Sequence, residues 1–239
     1  MLDIAKSLLL SFFVVAVLLP VIRFALRRMS PARTSTAFTE EQLSYFQRQE
    51  WKLTFAYYFF TCILAVFSAG ALSLVSSMVN ITREAMHILT PNFSALFAPG
   101  LLLGLTMALI PLRLIQGTIL AQDYDLYKSY LVHQEGHGSV KFYRVLLLAL
   151  LLLSAVAAWF SLRWHVYVTD EQVQVTNLLN ETRVYNLEHD VTSIHYLGAE
   201  GEYLISFNDN TAINTTYLKP VQLEMIALIS QQSGKRVIR

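Results

Sequence analysis

Four windows of this chain are long and apolar enough to be solvated by lipid rather than water: roughly Leu8–Leu26, Leu53–Val79, Ser94–Ile115 and Val145–Leu162. The last contains "VLLLALLLLSAVAAWF", Val145 to Phe160, without one charged side chain. A helix needs about 20 mostly apolar residues to cross the hydrocarbon core. Lipid offers no partner to backbone N–H and C=O groups, so such windows become helices. Composition agrees, with 54% hydrophobic and 15% charged residues over 239 positions. Soluble domains carry about 25% charged residues, and here the deficit is concentrated in the windows. The third window is interrupted by Pro99, Pro111 and Arg113. Trp51, Tyr57, Tyr58, Tyr143, Trp159 and Trp164 lie near window ends, where aromatic rings favour the headgroup level. Only Lys6 precedes the first window, and the "RFALRRMSPAR" after it has no small-residue cleavage site. It reads as an uncleaved first span, the alternative being a signal peptide.

Basic residues set the expected orientation. Arg27, Arg28, Arg33, Arg48 and Lys52 lie between spans one and two, and Lys128, Lys141 and Arg144 between three and four. The other side has Lys6 and Arg83. Lys and Arg accumulate on the cytoplasmic side, so the N-terminus and everything after Leu162 are expected on the extracytoplasmic side. The alternative is a cytoplasmic tail, if the first span does not cross. From Arg163 onward there are nine acidic and six basic residues, no obstacle to export. Between spans one and two, "FTEEQLSYFQRQEWKL" starts a helix near 39–52. Thr39 and Gln42 have capping-box spacing, and Glu40 and Glu41 sit at the positive end of the helix dipole. The favoured reading is a cytoplasmic extension of span two; the other is an amphipathic helix lying on the membrane, which three glutamates disfavour.

At Trp164 the pattern changes from continuous apolarity to alternation. "HVYVT" and "QVQVTN" flank Asp170-Glu171, a hairpin signal. "TRVYNL" and "VTSIHYL" follow, then "EYLISF" and "TAINTTY" around Asn208-Asp209-Asn210, residues that tolerate turn conformations. In "KPVQLEMIALISQQSGKRV" the residues Val221, Met225, Leu228 and Ile229 form one apolar stripe, with Gly234 at a C-cap position. The expected organisation is a four-helix transmembrane domain over 1–163 and a soluble α+β domain over 164–239, with about six short strands closed by a helix. Val166, Val168, Val175, Ile194, Phe207, Met225 and Ile229 are its expected core.

"VYVTDEQVQVTN", "RVYNLEHDVTSIHY", "YLISFNDNTAI" and the terminal helix together resemble the bacterial pleckstrin-homology-like domains attached to small membrane proteins. The resemblance covers the last third of the chain. It includes the polar-acidic turn Leu187-Glu188-His189-Asp190 before Thr192-Ser193-Ile194, and departs from the family at Asn210, where an aspartate–glycine turn is usual. It implies a small β-sandwich or barrel closed by a helix, and a binding or assembly module. Relatives that bind phosphoinositides use basic residues in the first hairpin loop. Here that loop is Asp170-Glu171, which repels a phosphorylated headgroup.

Candidate chemistry is sparse. His133, Glu135 and His137 in "HQEGHG" alternate, so an extended strand points all three one way, and imidazole with carboxylate suits a divalent metal. Their spacing matches no zincin motif, which needs histidines a helical turn apart. The competing expectation, which we favour, is a solvated loop with no metal. Arg113 is an intramembrane charge, and hence a candidate functional residue, set against snorkelling towards the interface. Cys62 is the single cysteine, which excludes an intrachain disulfide. A net charge of +1 gives no reason to expect a nucleic-acid partner. No acidic residue lies deep in a span, so an ion-coupled transporter lacks its usual groups. Serines and glycines in span two (Ser68, Gly70, Ser73, Ser76, Ser77) permit close helix packing. The expected function is a non-enzymatic, cofactor-free accessory or assembly protein, embedded in lipid, whose tail binds a protein partner or a larger membrane complex. The alternatives are a small transporter subunit and a membrane enzyme with a metal at His133, Glu135 and His137.

Overall fold

The structure, a computed structural model, describes residues 2–29, 38–81, 85–136, 138–198, 201–219 and 221–239. Arg33, Arg83 and His137 lie outside that set. The first two thirds are helical: α1 (Leu2–Met29), α2 (Glu40–Val79), α3 (Phe93–Met107), α4 (Leu109–Leu120), α5 (Tyr124–Glu135) and α6 (Ser139–Arg163). Among the described residues, three stretches are long and apolar enough to cross a membrane: Glu40–Val79, Phe93–Glu135 and Lys141–Arg163. The apolar part of α1 is shorter, Lys6–Ile22.

At 40 residues and about 1.5 Å per residue, α2 is roughly twice as long as the hydrocarbon core is thick. Its polar start continues into the apolar stretch without interruption. Both bonds of the capping box are present: Thr39 N–H donates to Gln42 Oε1 (3.2 Å) and Gln42 N–H to Thr39 Oγ1 (3.4 Å). The third apolar window is divided at Ala108, between α3 and α4. Pro111 explains the division. It has no N–H for the Met107 carbonyl, and its ring crowds that oxygen. The segment read as a solvated loop between spans three and four is largely helical, in α4 and α5.

The chain forms two compact units. The first joins residues up to Ser68 with Pro99–Ala155. One of its clusters holds Val15, Tyr57, Leu105 and Ala108, where the Tyr57 hydroxyl donates to the Leu105 carbonyl at 3.1 Å. Gly104 is needed here. A Cβ on it would lie 2.5 Å from Ala65 N and 2.6 Å from Ala65 Cα, so α2 and α3 meet backbone to backbone in the manner of small-residue helix pairs. A second cluster is aromatic: Phe46, Leu53, Leu120, Tyr127 and Tyr130.

The second unit joins Ala69–Ala98 with Val156–Arg239. It contains two four-stranded sheets. In the first, β1 (His87–Leu89), β2 (His165–Val168), β3 (Gln172–Thr176) and β4 (Thr182–Asn186) are antiparallel neighbours in that order. In the second the order is β7 (Ala212–Asn214), β6 (Tyr203–Phe207), β5 (Val191–Tyr196), β8 (Val237–Ile238), with β8 parallel to β5. Helix α7 (Leu223–Ser233) follows β7 and ends at Gly234 in the left-handed region, φ 67°. Val166, Val168, Ile194, Phe207, Met225 and Ile229 share one core, with Val175 packed partly buried against it. Asn210 takes φ 61°, so asparagine supplies the left-handed turn for which glycine is more usual.

Two strands lie outside the sequence expectation. β8 follows the helix C-cap at Gly234, where no strand is expected. β1 comes from the connection between α2 and α3, and its Leu89 is 4% exposed in the core of the strand unit. That unit is therefore assembled from two separated lengths of chain.

Candidate functional site

Two asparagines and a lysine hold the strand unit to the ends of its helices. Asn80 closes α2, and its Nδ2 donates to the Ser76 carbonyl (2.8 Å) and to the Leu162 carbonyl of α6 (2.9 Å). The Tyr167 hydroxyl donates to the Asn80 carbonyl at 3.1 Å. Asn92 precedes α3: its Oδ1 accepts from Ala95 N–H at 3.0 Å as an N-cap. Its Nδ2 donates to the carbonyls of Thr216 (2.8 Å) and Leu218 (3.2 Å). Lys219 Nζ donates to the Ser73 carbonyl at 3.2 Å and to Ser77 Oγ. A Ser–Lys pair has the composition of a nucleophile and base. Ser77, however, points its hydroxyl back to the Ser73 carbonyl at 3.0 Å, the usual helix back-bond, so the contact ties Lys219 to α2. Of these residues the sequence pointed only to Ser73, Ser76 and Ser77, as small residues for helix packing; Asn80, Asn92 and Lys219 carried no signal.

The sequence candidates fall elsewhere. His133 and Glu135 lie in the last turn of α5. They are two apart on a helix and do not face one another, unlike the extended strand that the metal reading needed. Glu135 is 2% exposed and accepts from the Tyr143 hydroxyl at 3.1 Å, and the His133 ring meets the edge of Phe38 at 5.6 Å. His137 lies outside the described residues. Among those described, no three His, Cys, Asp or Glu side chains converge to hold a metal ion. Arg113 lies exposed on α4.

The exposed surface of the strand unit offers a sheet edge. Among the described residues β4 pairs only with β3. The bonds Asn177 N–H to Glu181 O (3.0 Å) and Leu187 N–H to Glu171 O (2.9 Å) flank this ladder. Hydrogen-bonded pairs alternate along antiparallel strands. Arg183 and Tyr185 therefore bond to β3, while Thr182 and Val184 turn their backbone groups to the open side; Asn186 is already engaged, its N–H donating to Asp190 Oδ2 (2.7 Å) and its carbonyl accepting from Asp190 N–H (2.9 Å). Val184 is 56% exposed. Tyr185 anchors the strand by stacking on Phe207, with ring centroids 3.9 Å apart. Its hydroxyl donates to Asp209 Oδ2 at 2.9 Å. Arg183 pairs with the same carboxylate at 3.3 Å. Bonding by the Thr211 hydroxyl, then by Thr211 N–H, Tyr185 and Arg183, holds the Asp209 carboxyl below its ordinary range. The strand is thus fixed in place, with its outer side open at Thr182 and Val184.

No model of a known protein family, no curated protein and no solved structure matches this chain.

Proposed function

We propose that this protein is a non-enzymatic accessory or assembly factor of a bacterial inner membrane. Its four apolar helices anchor it, and its pleckstrin-homology-like tail holds a protein partner on the extracytoplasmic side. The observation that carries the proposal is the open edge of β4. Unpaired strand edges recruit a further strand from a partner, with backbone bonds supplying affinity and side-chain pockets specificity, and proteins usually blunt the edges they do not use. β4 carries one charged residue, Arg183, engaged with Asp209. Six short strands, β2 to β7, followed by helix α7 support the pleckstrin-homology-like reading, and acidic Asp170-Glu171 in the first hairpin favours a protein over an inositol lipid.

The test uses the open-side N–H of Val184. Proline there removes a donor that β3 does not use, a substitution edge strands tolerate. A photo-crosslinking residue at Thr182 in native membranes is expected to capture one protein. Val184→Pro should abolish both capture and complementation of a deletion strain while leaving the melting temperature of the purified protein within a few degrees. Capture and complementation that survive Val184→Pro would remove β4 as the docking edge and bring the transporter and membrane-enzyme readings forward.

A further inference from the structure

The turn joining β3 to β4, "NLLNE" from Asn177 to Glu181, exposes two leucines. Leu179 is 73% exposed and Leu178 48%. The turn is tightly bonded. Asn177 Oδ1 accepts from Leu179 N–H (2.9 Å) and Glu181 N–H (3.0 Å), and its Nδ2 donates to Glu181 Oε2 at 2.9 Å. Asn180 takes φ 63°, and its N–H donates to the Asn177 carbonyl at 3.0 Å. The polar groups of the tip therefore serve each other, and the two leucyl side chains are held outward by a preformed turn.

Strand register says where that tip lies. β2 leaves the end of α6 and β3 returns antiparallel to it, with Thr176 opposite His165. His165 is two residues beyond Arg163, the last residue of α6. Leu178, two residues beyond Thr176, therefore comes back level with Arg163. A hydrogen bond confirms the level: Arg163 Nη1 donates to Asn180 Oδ1 at 3.3 Å. The Arg163 guanidinium also lies 4.5 Å over the ring of Trp159, and Trp159 is 57% exposed. An arginine stacked on an exposed tryptophan at the end of an apolar helix marks the headgroup level. The Asp170-Glu171 turn lies at the opposite end of the same strands.

We propose that the Leu178-Leu179 tip inserts into the headgroup–acyl boundary of the bilayer that α6 crosses, as a second membrane anchor for the strand unit. It rests on α6 being a membrane span, not on the β4 partner. Its occupant is lipid because the tip is continuous with the lipid-facing end of α6. Both leucines would otherwise stand in water beside a surface able to take them, at about 25 cal/mol for each Å² of apolar surface removed from water.

The full chain, with Cys62→Ala and a single cysteine at Leu179→Cys, Leu178→Cys or Glu171→Cys, is labelled with a nitrobenzoxadiazole fluorophore. It is then reconstituted into phosphatidylcholine vesicles. Emission from positions 178 and 179 should be blue-shifted relative to 171. It should be quenched by lipid carrying a nitroxide near the top of its acyl chain, and several-fold less by iodide present on both sides. Position 171 should show the reverse. Iodide quenching at 178 and 179 equal to that at 171 would overturn the proposal. So would protection from both quenchers, which would mean that protein, a second copy of this chain, covers the tip.

Discussion

Asn92 uses one side chain to begin a helix and to bind two carbonyls more than a hundred residues away in sequence. Asn92→Ala is expected to destabilise the strand unit by about 1–3 kcal/mol, from the lost N-cap and unpaired carbonyls, as measured by denaturant unfolding in detergent. Asn92→Asp should recover part of that loss, since it keeps the cap. Ile229 is 0% exposed in the core, and Ile229→Ala should cost about 2–5 kcal/mol in the same measurement. His165 gives a pH dependence. Burial lowers its pKa from 6.5, only partly opposed by its bond to the Arg163 carbonyl; that bond is 2.7 Å long, and Thr176 Oγ1 lies 3.3 Å from the other ring nitrogen. A depressed folded pKa means that the unfolded chain takes up the proton first. Stability is therefore complete above about pH 6.5 and falls as the pH drops through the folded value. Unfolding midpoints of wild type and His165→Gln should diverge below pH 6.5, with the variant less pH-dependent. At this scale the core was legible and the ties were not. Alternation marks Val166 or Ile194 as buried whatever the fold, whereas an asparagine's partner depends on which distant carbonyl the fold brings to it.

Elements with a period were legible and elements without one were not. α7 shows its stripe, and β2 and β3 their alternation around Asp170-Glu171. β1 is three residues long, too short for any period, and becomes a strand only because β2 pairs with it. α5 was hidden for a different reason: its polar sequence reads as solvent-facing, while aromatic packing onto Tyr127 and Tyr130 makes it a helix. The β1–β2 pairing has a topological consequence. Residues flanking β1 and α7 belong to one folded unit, so they must lie on one side of the membrane. Met86→Cys and Gln231→Cys, each in a Cys62→Ala background, should react with an impermeant maleimide in intact spheroplasts. Reaction of only one would contradict the pairing, and reaction of neither before lysis would reverse the expected orientation.

For the whole molecule, the sequence showed an apolar helical part and a strand-rich tail but drew their boundary at residue 163. The contacts instead group Ala69–Ala98 with the tail. Hydrophobic patterning reports what each segment is solvated by, not which segments fold together. Truncation after Leu162 should therefore do more than remove a module: Leu89 loses its core, and Asn80 and Asn92 lose the strand-unit groups they bind. The truncated protein is expected to insert into membranes, fail to complement a deletion strain, and expose the 85–92 segment to protease. Full complementation would make the tail dispensable. During synthesis, β1 emerges well before its partner. After Leu89 the ribosome must add 79 residues to complete Val168, roughly 4–16 s at 5–20 residues per second. Throughout that interval Leu89 has no core to enter: the first strand to be made cannot pair until the chain beyond α6 exists.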